Sequence, residues 1–538
     1  MGVTLASRSE RRAAFGRLAR KAAISAMALM VLSPTTALAH AERDVEFPPG
    51  KGHVPKYSKS GDTLLVCNST SDVAIAKLPP RAEARNERLL ERCRRNGFRS
   101  VQTAIDHVKK QNSRVLLLPG TYRERKTLKR ELPKSCEELK DVEILEYEEQ
   151  KKCPTLQNII TIFGDGKDDD VVCDNALCGL QIEGTGARPQ DVKLEGAYRR
   201  LNVVRADRAD GIYLRNFTAQ GATFNAVYIL QTDGFVIDRL VGRWNNEYGF
   251  LTFASDHGLY KKCEAYINGD SGLYPGAAAP HYGWRPSVEI RRCKSHHNTL
   301  GYSGTAGDST YVHHNKFYKN SVGIVTDSFF PDHPGLPQNS AHFVNNWIYS
   351  NNKNYYKNYT NGECEKPDKK RDYRGGVVCP AIPAPVGTGH LIAGGNYNVV
   401  GHNYIYNNWR HGAMLFWVPA AFREETGPEH SQDTSHANRY IANIMGLTPT
   451  GEEKPNGNDF WWDEQGYANC WFNNDGGKDG ISSNPSTLPK CDENPSENPA
   501  GNSAKTALLA PCAAWSRENH HPEGCDWMEK PSKPENGG

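Results

Sequence analysis

The sequence predicts an all-β solenoid, in which short strands wind into coils stacked one on another. Three observations predict it. First, the segments KKCEAYINGDSG (261–272), RRCKSHHNTLG (291–301), HHNKFYKNSVG (313–323), NNWIYSNN (345–352), GHNYIYNNWRHG (401–412) and ANRYIANIMG (437–446) align on an anchor at Cys263, Cys293, Asn315, Asn346, Asn403 and Asn438. Second, an asparagine stands five residues after every anchor, at Asn268, Asn298, Asn320, Asn351, Asn408 and Asn443. A glycine follows at Gly272, Gly301, Gly323, Gly412 and Gly446, with Asn354 in that place in the remaining unit. Third, the units are rich in Asn, Gly, Tyr and Val, which suit short strands and tight turns. The anchors fall 30, 22, 31, 57 and 35 residues apart, too loose a period for a helical repeat. Asn tolerates the left-handed backbone. A column of it predicts coils in register, with amides bonding up and down the stack.

The elements follow in chain order. Residues 1–41 predict a secretory signal peptide: a cationic start (Arg8, Arg11, Arg12, Arg17, Arg20, Lys21), an apolar run AAISAMALMVL (22–32), and small residues for cleavage after Ala39 or Ala41. Arg11-Arg12 adds twin-arginine export as a route beside the general one, with Phe15 one place later than that motif has it. The precursor carries +3. Its leader holds six cations and Glu10, so the remainder is −2. That excludes a basic nucleic-acid-binding class, and no later apolar run is long enough to span a bilayer. The expected product is a secreted monomer. Residues 42–99 read as an N-terminal arm.

SVQTAIDHVKKQNSRVLLLPGTYRE (100–124), NIITIFGDG (158–166) and ADGIYLRNFTAQGATFNAVYILQTDGFVIDRL (209–240) carry the strand-and-turn rhythm toward the N-terminus. With the six units, this resembles a right-handed parallel β-helix of the pectate-lyase-like superfamily, over 100–446. The resemblance implies a capping helix before the first apolar strand and the P-G-T-Y turn. It also implies a fold that hosts lyases, hydrolases, epimerases and adhesive proteins alike. In this register Cys263 and Cys293 occupy the same place in successive coils. Stacked strands lie about 4.8 Å apart, within the Cα span of a disulfide, so a Cys263–Cys293 bridge is expected. Cys67 and Cys93 would then staple the arm to the cap. All 14 cysteines follow the leader. Cys136/Cys153, Cys173/Cys178, Cys364/Cys379, Cys470/Cys491 and Cys512/Cys525 lie close in sequence, as in an exported disulfide-bonded chain. No C-x-x-C pairs have zinc-finger spacing.

The long gap between Asn346 and Asn403 holds NYTNGECEKPDKKRDYRGGVVCPAIPAPVG (358–387), charged and then Pro-rich, which predicts a disulfide-pinned excursion. Residues 447–538, rich in Pro, Asn, Gly, Trp and Cys, read as an irregular segment packed on the C-terminal end, where an open coil would expose strand edges.

His313 and His314 precede an anchor where neighbouring units have Arg291-Arg292 and Lys261-Lys262, so they read as an exposed polar face. Beyond Gly323, alternation puts Val325 and Asp327 on one face. The equivalent places hold Tyr274, Ser303 and Met414, then Gly276, Thr305 and Phe416. Such a mixture of aromatic, hydroxyl and carboxylate groups suits an extended sugar chain. The loop SFFPDHPGLPQ brings Asp332 and His333 into reach of Asp327. Together with Arg410 and His411 these are the catalytic candidates. Tyr274, Ser303, Trp409, Phe416, Trp417, Trp461, Asp463 and Glu464 are the candidates for substrate binding. The alternative for Trp461 and Trp462 is a hydrophobic plug. GDGKDDD (164–170) leaves calcium open as a cofactor, without EF-hand spacing.

These residues point to a carbohydrate-active protein: a polysaccharide lyase, epimerase or glycoside hydrolase acting in a groove over the late coils. The alternative is a non-catalytic glycan-binding or adhesive β-helix. Lyase and epimerase chemistry must neutralise a uronate carboxylate and move the neighbouring proton, for which His333, Arg410 and His411 are available. PDHP (331–334) only partly matches the D-P-H-D motif of alginate epimerases, because the aspartates do not flank it in order. A hydrolase needs two carboxyls across the bond, for which Asp327 and Asp332 serve, with Asp308 and Glu464 as further candidates.

Overall fold

The computed structural model describes residues 43–123, 134–165, 172–331, 333–492 and 503–535. The leader, most of the GDGKDDD stretch and Asp332 lie outside the described residues. The chain circulates through three parallel sheets in the order A, B, C. Sheet A has twelve strands, from Thr63–Val66 to Cys470–Phe472. Sheet B has ten, from Gly120–Tyr122 to Ile444–Met445. Sheet C has eleven, from Asn158–Phe163 to Ser483–Asn484. The expected all-β parallel helix is the fold. Its sheets begin before residue 100 and continue past 446.

Alternate residues of each strand turn inward and build the core. Along sheet C the column runs Ile160, Val204, Val227, Phe250, Leu273, Tyr302, Ile324, His390, Ala413, Phe460. All are buried. The expected capping helix spans Val101–Asp106, with the Ser100 side chain accepting from Thr103 N. Val101, Ala104 and Ile105 close the open end of the barrel. Gln102 accepts from Thr161 N at 2.7 Å and donates to Thr161 O at 3.0 Å, which satisfies the edge of the first C strand.

His390 is out of character in that column. It packs against Phe343 at 4.8 Å, and neither ring nitrogen has a partner among the described residues. Burial lowers its pKa to about 3. Unfolding therefore takes up a proton as pH falls below the ordinary histidine value, and stability drains away by up to about 1.4 kcal/mol per pH unit until about pH 3. His390→Leu is expected to outlast the parent in acid, with the gap in urea midpoint widening from pH 6 to pH 4. A constant gap would contradict it.

Three amide ladders hold the coils in register. At the A-to-B turn the ladder is Asn315–Asn346–Asn403–Asn443–Asn474, linked at 2.9–3.1 Å. At the B-to-C turn it is Asn245–Asn268–Asn298–Asn320–Asn351–Asn408–Asn456. A third, Gln338–Asn398–Asn438–Asn469, lies at the C-to-A turn. The sixth sequence unit is thus displaced by five residues. Asn438 belongs to the third ladder, and Asn443 is the true anchor. The confusion has a physical source: a three-residue strand between two asparagines brackets Tyr404–Tyr406 in sheet B and Arg439–Ile441 in sheet A alike. The glycine column is also corrected. Gly389, not Asn354, continues Gly272, Gly301 and Gly323, and Gly446 lies outside it. A methyl group at Gly323 would strike the carbonyl oxygen of Gly389. The residue before each anchor is left-handed, including Lys262, Arg292 and His314, with φ from 54° to 56°. His314 belongs to this turn and His313 ends the strand before it, with His313 Nε2 2.9 Å from Glu289.

The fourteen cysteines form seven disulfides, including Cys263–Cys293 with a Cα separation of 4.6 Å and Cys67–Cys93. The outer face of sheet C is covered. Val45 and Phe47 of the arm, with Leu336, lie over Leu251, Phe253 and Tyr274. Trp527, Met528 and Cys512 lie over Val325, Leu391, Met414 and Phe416. The C-terminal segment therefore runs along this face as well as beyond the last coils, because an outward column of Val325, Leu391, Met414 and Trp461 is apolar and needs a cover.

Candidate active site on sheet C

Strand alternation turns Tyr274, Ser303 and Val325 outward from three consecutive C strands, with Thr305 and Asp327 paired two places on. Thr305 Oγ1 donates to Asp327 Oδ2 at 2.9 Å, and Phe329 N donates to Oδ1 at 3.2 Å. Asp327 is 3% exposed. Burial pushes its pKa up to about 6, against the two hydrogen bonds that favour the anion. The loop after this strand returns His333 to the same place. Its Nδ1 lies 3.0 Å from Pro331 O and its Nε2 lies 3.1 Å from Tyr274 Oη. A carbonyl only accepts, so Nδ1 carries a proton, and Nε2 and the phenol share the second hydrogen bond. Tyr274 is also hydrogen-bonded to Thr305. His333, Tyr274, Thr305 and Asp327 thus form one continuous relay across three coils.

A second carboxyl borders the relay. Asp270 is buried in the turn before Tyr274 and is hydrogen-bonded to Tyr248. Burial, with Glu247 and Asp327 nearby, pushes it well above the carboxylate range. The Tyr248 and Tyr274 rings lie 4.8 Å apart. Burial and the charges of Asp327 and Asp270 push the Tyr274 phenol well up, so it rests as a hydroxyl. Asp270, Tyr248 and Glu247 escaped the sequence reading, because they stand in the B-to-C turns rather than at alternating strand positions.

The late-coil candidates form a separate group. Arg410 donates to Val386 O (2.9 Å), Asp526 Oδ2 (2.6 Å), Asp526 O (2.7 Å) and Glu529 O (3.2 Å), and so clamps the C-terminal segment. His411 is stacked on Trp461 at 5.9 Å, and burial lowers its pKa to about 3. Trp409 Nε1 donates to Asn407 Oδ1, with Lys530 4.5 Å over its ring. Phe416 packs on Phe329 and Trp527. Trp417 N donates to Asp463 Oδ2 at 2.9 Å; burial pushes Asp463 to about 6. Glu464 pairs with Lys505 at 2.8 Å, and Lys505 lies over Trp461. This group joins the tail to the coils. The structure brings Tyr274, Ser303, Asp327 and His333 together, and sets Trp409, Arg410, His411, Trp417, Trp461, Asp463 and Glu464 in another group, with Phe416 two strands from Asp327 in the same outward column. Asp308 lies in the C-to-A turn, raised to about 7 by burial.

Among the described residues, two clusters have metal-ligand composition: Asp233, Asp256 and His257, and Glu425, His430 and Asp433. Arg285 already holds Asp256 at 2.6 and 2.8 Å. Arg423 holds both Glu425 and Asp433 at 2.6 Å. A divalent cation would have to displace a guanidinium in either. Asp165, the described aspartate of the GDGKDDD stretch, bonds Tyr147, Lys151 and Arg208.

Fold and repeat together define a right-handed parallel β-helix. Residues 178–363 match the family described as a right handed beta helix region. Solved structures similar to this chain include the A-module of mannuronan C-5 epimerase AlgE6 from Azotobacter vinelandii, at 12% identity over 70% of this chain and 93% of that one, with a TM-score of 0.32. The periplasmic alginate epimerase AlgG aligns at 13% identity over 57% and 60%, with a TM-score of 0.33. Pectate lyase Pel9A aligns at 11% identity over 79% and 78%, with a TM-score of 0.30. No curated protein matches the chain in sequence.

Proposed function

We propose that this chain is an exported enzyme that moves the proton beside the carboxyl group of a uronate residue in a polysaccharide, as a lyase or an epimerase. The observation that carries this reading is the relay from His333 through Tyr274 and Thr305 to Asp327. Tyr274 meets the substrate proton. With His333 Nε2 donating to the phenol oxygen, the phenol's own proton points to Thr305, and Asp327, ionised above about pH 6, draws it through the Thr305 hydroxyl. His333 holds the phenol in place from the other side. Asp270, whose burial favours the protonated form, donates a hydrogen bond to the substrate carboxylate as its charge builds. Seven disulfides fit an oxidising compartment, and among the described residues no helix is long and apolar enough to cross a membrane.

The test is turnover of uronate-containing and neutral polysaccharides, followed by new reducing ends, by ultraviolet absorbance of unsaturated products, and by deuterium uptake from heavy water. Tyr274→Phe is expected to lower kcat by about 10²–10⁴ with little change in KM. Unchanged turnover in that variant would sink the assignment. A second reading, a glycan-binding β-helix without chemistry, is favoured by the near-complete burial of Tyr274, 1% exposed. In that case the relay fastens the loop at His333 to the coils, and no polymer is turned over.

A further inference from the structure

Sheet B carries a cleft that the chemistry above does not use. Its cavity of about 370 Å³ is walled by Arg123, Lys193, Glu195, Arg243, Trp244 and Arg374. A second cavity, of about 390 Å³, shares Thr121 and Arg123 with it and adds Arg99. The floor comes from the first B strands, Gly120–Tyr122, Val192–Glu195, Thr218–Gln220 and Val241–Asn245. The roof is Arg374, delivered by the excursion that Cys364–Cys379 closes. That excursion is seated on the helix by Tyr373, whose ring stacks on Tyr198 at 4.6 Å and whose hydroxyl bonds Asn246.

The charges around this cleft are unbalanced. Among the described residues, Glu195 is the only carboxylate in its wall, and its oxygens accept from Gln220 Nε2 (2.6 Å) and Ala197 N (3.1 Å). Arg243 donates to Gln220 Oε1 and lies 4.0 Å over the Trp244 ring. Among the described residues, Arg123, Lys193 and Arg374 have no carboxylate partner. These cations are gathered in a chain whose charge without its leader is −2. Like charges held together in a concavity focus a field that attracts anions. The same face continues from Arg243 as a stack of rings, Tyr266, His296, Tyr318, Tyr349 and Tyr406, at 4.8–5.1 Å. Lys294 and Lys316 stand in the column beside it. Each coil thus offers a polar ring edge at the strand spacing, a repeating surface that suits a repeating ligand.

We propose that this cleft binds carboxylate groups of an acidic glycan chain, as a docking site apart from sheet C. The sugar rests on the functional reading above; the sign of the ligand rests on the cleft's own charge. The experiment uses the full chain carrying Tyr274→Phe, titrated calorimetrically with polygalacturonate, with its methyl ester and with inorganic phosphate. Polygalacturonate is expected to bind, more weakly at raised salt, and the ester is expected to bind at least tenfold more weakly. Adding Lys193→Glu and Arg374→Glu is expected to cost at least tenfold in affinity with the melting temperature unchanged. On the otherwise native chain, those two substitutions should leave turnover of a short oligouronate unaltered. Equal affinity in the doubly substituted protein, or displacement of the polymer by phosphate as readily as by a galacturonate trimer, overturns the proposal. Loss of binding on substitution, with turnover unaffected by Tyr274→Phe, overturns the chemistry on sheet C and leaves this site standing.

Discussion

Asp327→Asn is expected to lose about 10²–10⁴ of kcat/KM and to unfold at a higher urea concentration than the parent at pH 7. The two effects share one cause. Asp327 rises from an ordinary carboxylate value to about 6 in the folded chain. Its stabilising contribution is complete below pH 3.8 and is lost as pH rises through about 6, so at pH 7 the buried anion burdens the fold by about 1–3 kcal/mol. Asparagine removes that burden but cannot draw a proton from Thr305. The parent's kcat/KM should rise with pH through about 6, and the variant's residual rate should be flat across that range. The stability gain should shrink toward pH 4. A variant that is inactive and less stable at pH 7 would mean that Asp327 is structural.

Asn403→Ala is expected to destabilise the helix by about 3–5 kcal/mol. Asn403 donates to Phe343 O at 2.8 Å and to Asn443 Oδ1 at 2.9 Å, and its own oxygen accepts from Asn346 N at 2.9 Å and Asn346 Nδ2 at 3.1 Å. Alanine leaves those buried groups unpaired, each costing about 1–3 kcal/mol. Asn354→Ala is the matched control. Its amide donates to Met528 O alone, and its loss should cost about 1 kcal/mol. Urea unfolding of both variants measures the difference. Equal midpoints would mean that the ladder does not hold the coils in register.

The strands near Asp327 show how far alternation reads. Counting from Gly323 placed Val325 and Asp327 outward beside Tyr274, Ser303 and Thr305, and their register agrees. The same counting placed Met414 and Phe416 outward too, but outward proved not to mean exposed, because Trp527 and Met528 arrive from more than a hundred residues away. Arg410 shows the same limit. Its charge suggested a substrate, whereas its partner is the chain's own Asp526. Within the sixth unit, spacing placed the anchor at Asn438, five residues before Asn443, since a three-residue strand between asparagines recurs in both sheets.

The sequence by itself determined the coil, because a ladder needs the same residue at the same turn in every repeat, and that demand is local and periodic. It also determined the Cys263–Cys293 bridge, since stacked register sets those two sulfurs one above the other, while the remaining pairings were suggested by close spacing and decided by the structure. The tertiary structure alone decided what covers each face and which groups meet there. His333 against Tyr274, Asp270 beside the relay and Arg374 over Lys193 are joined by loops whose reach and direction no periodic pattern encodes. Their meeting depends on burial and on contacts between distant segments.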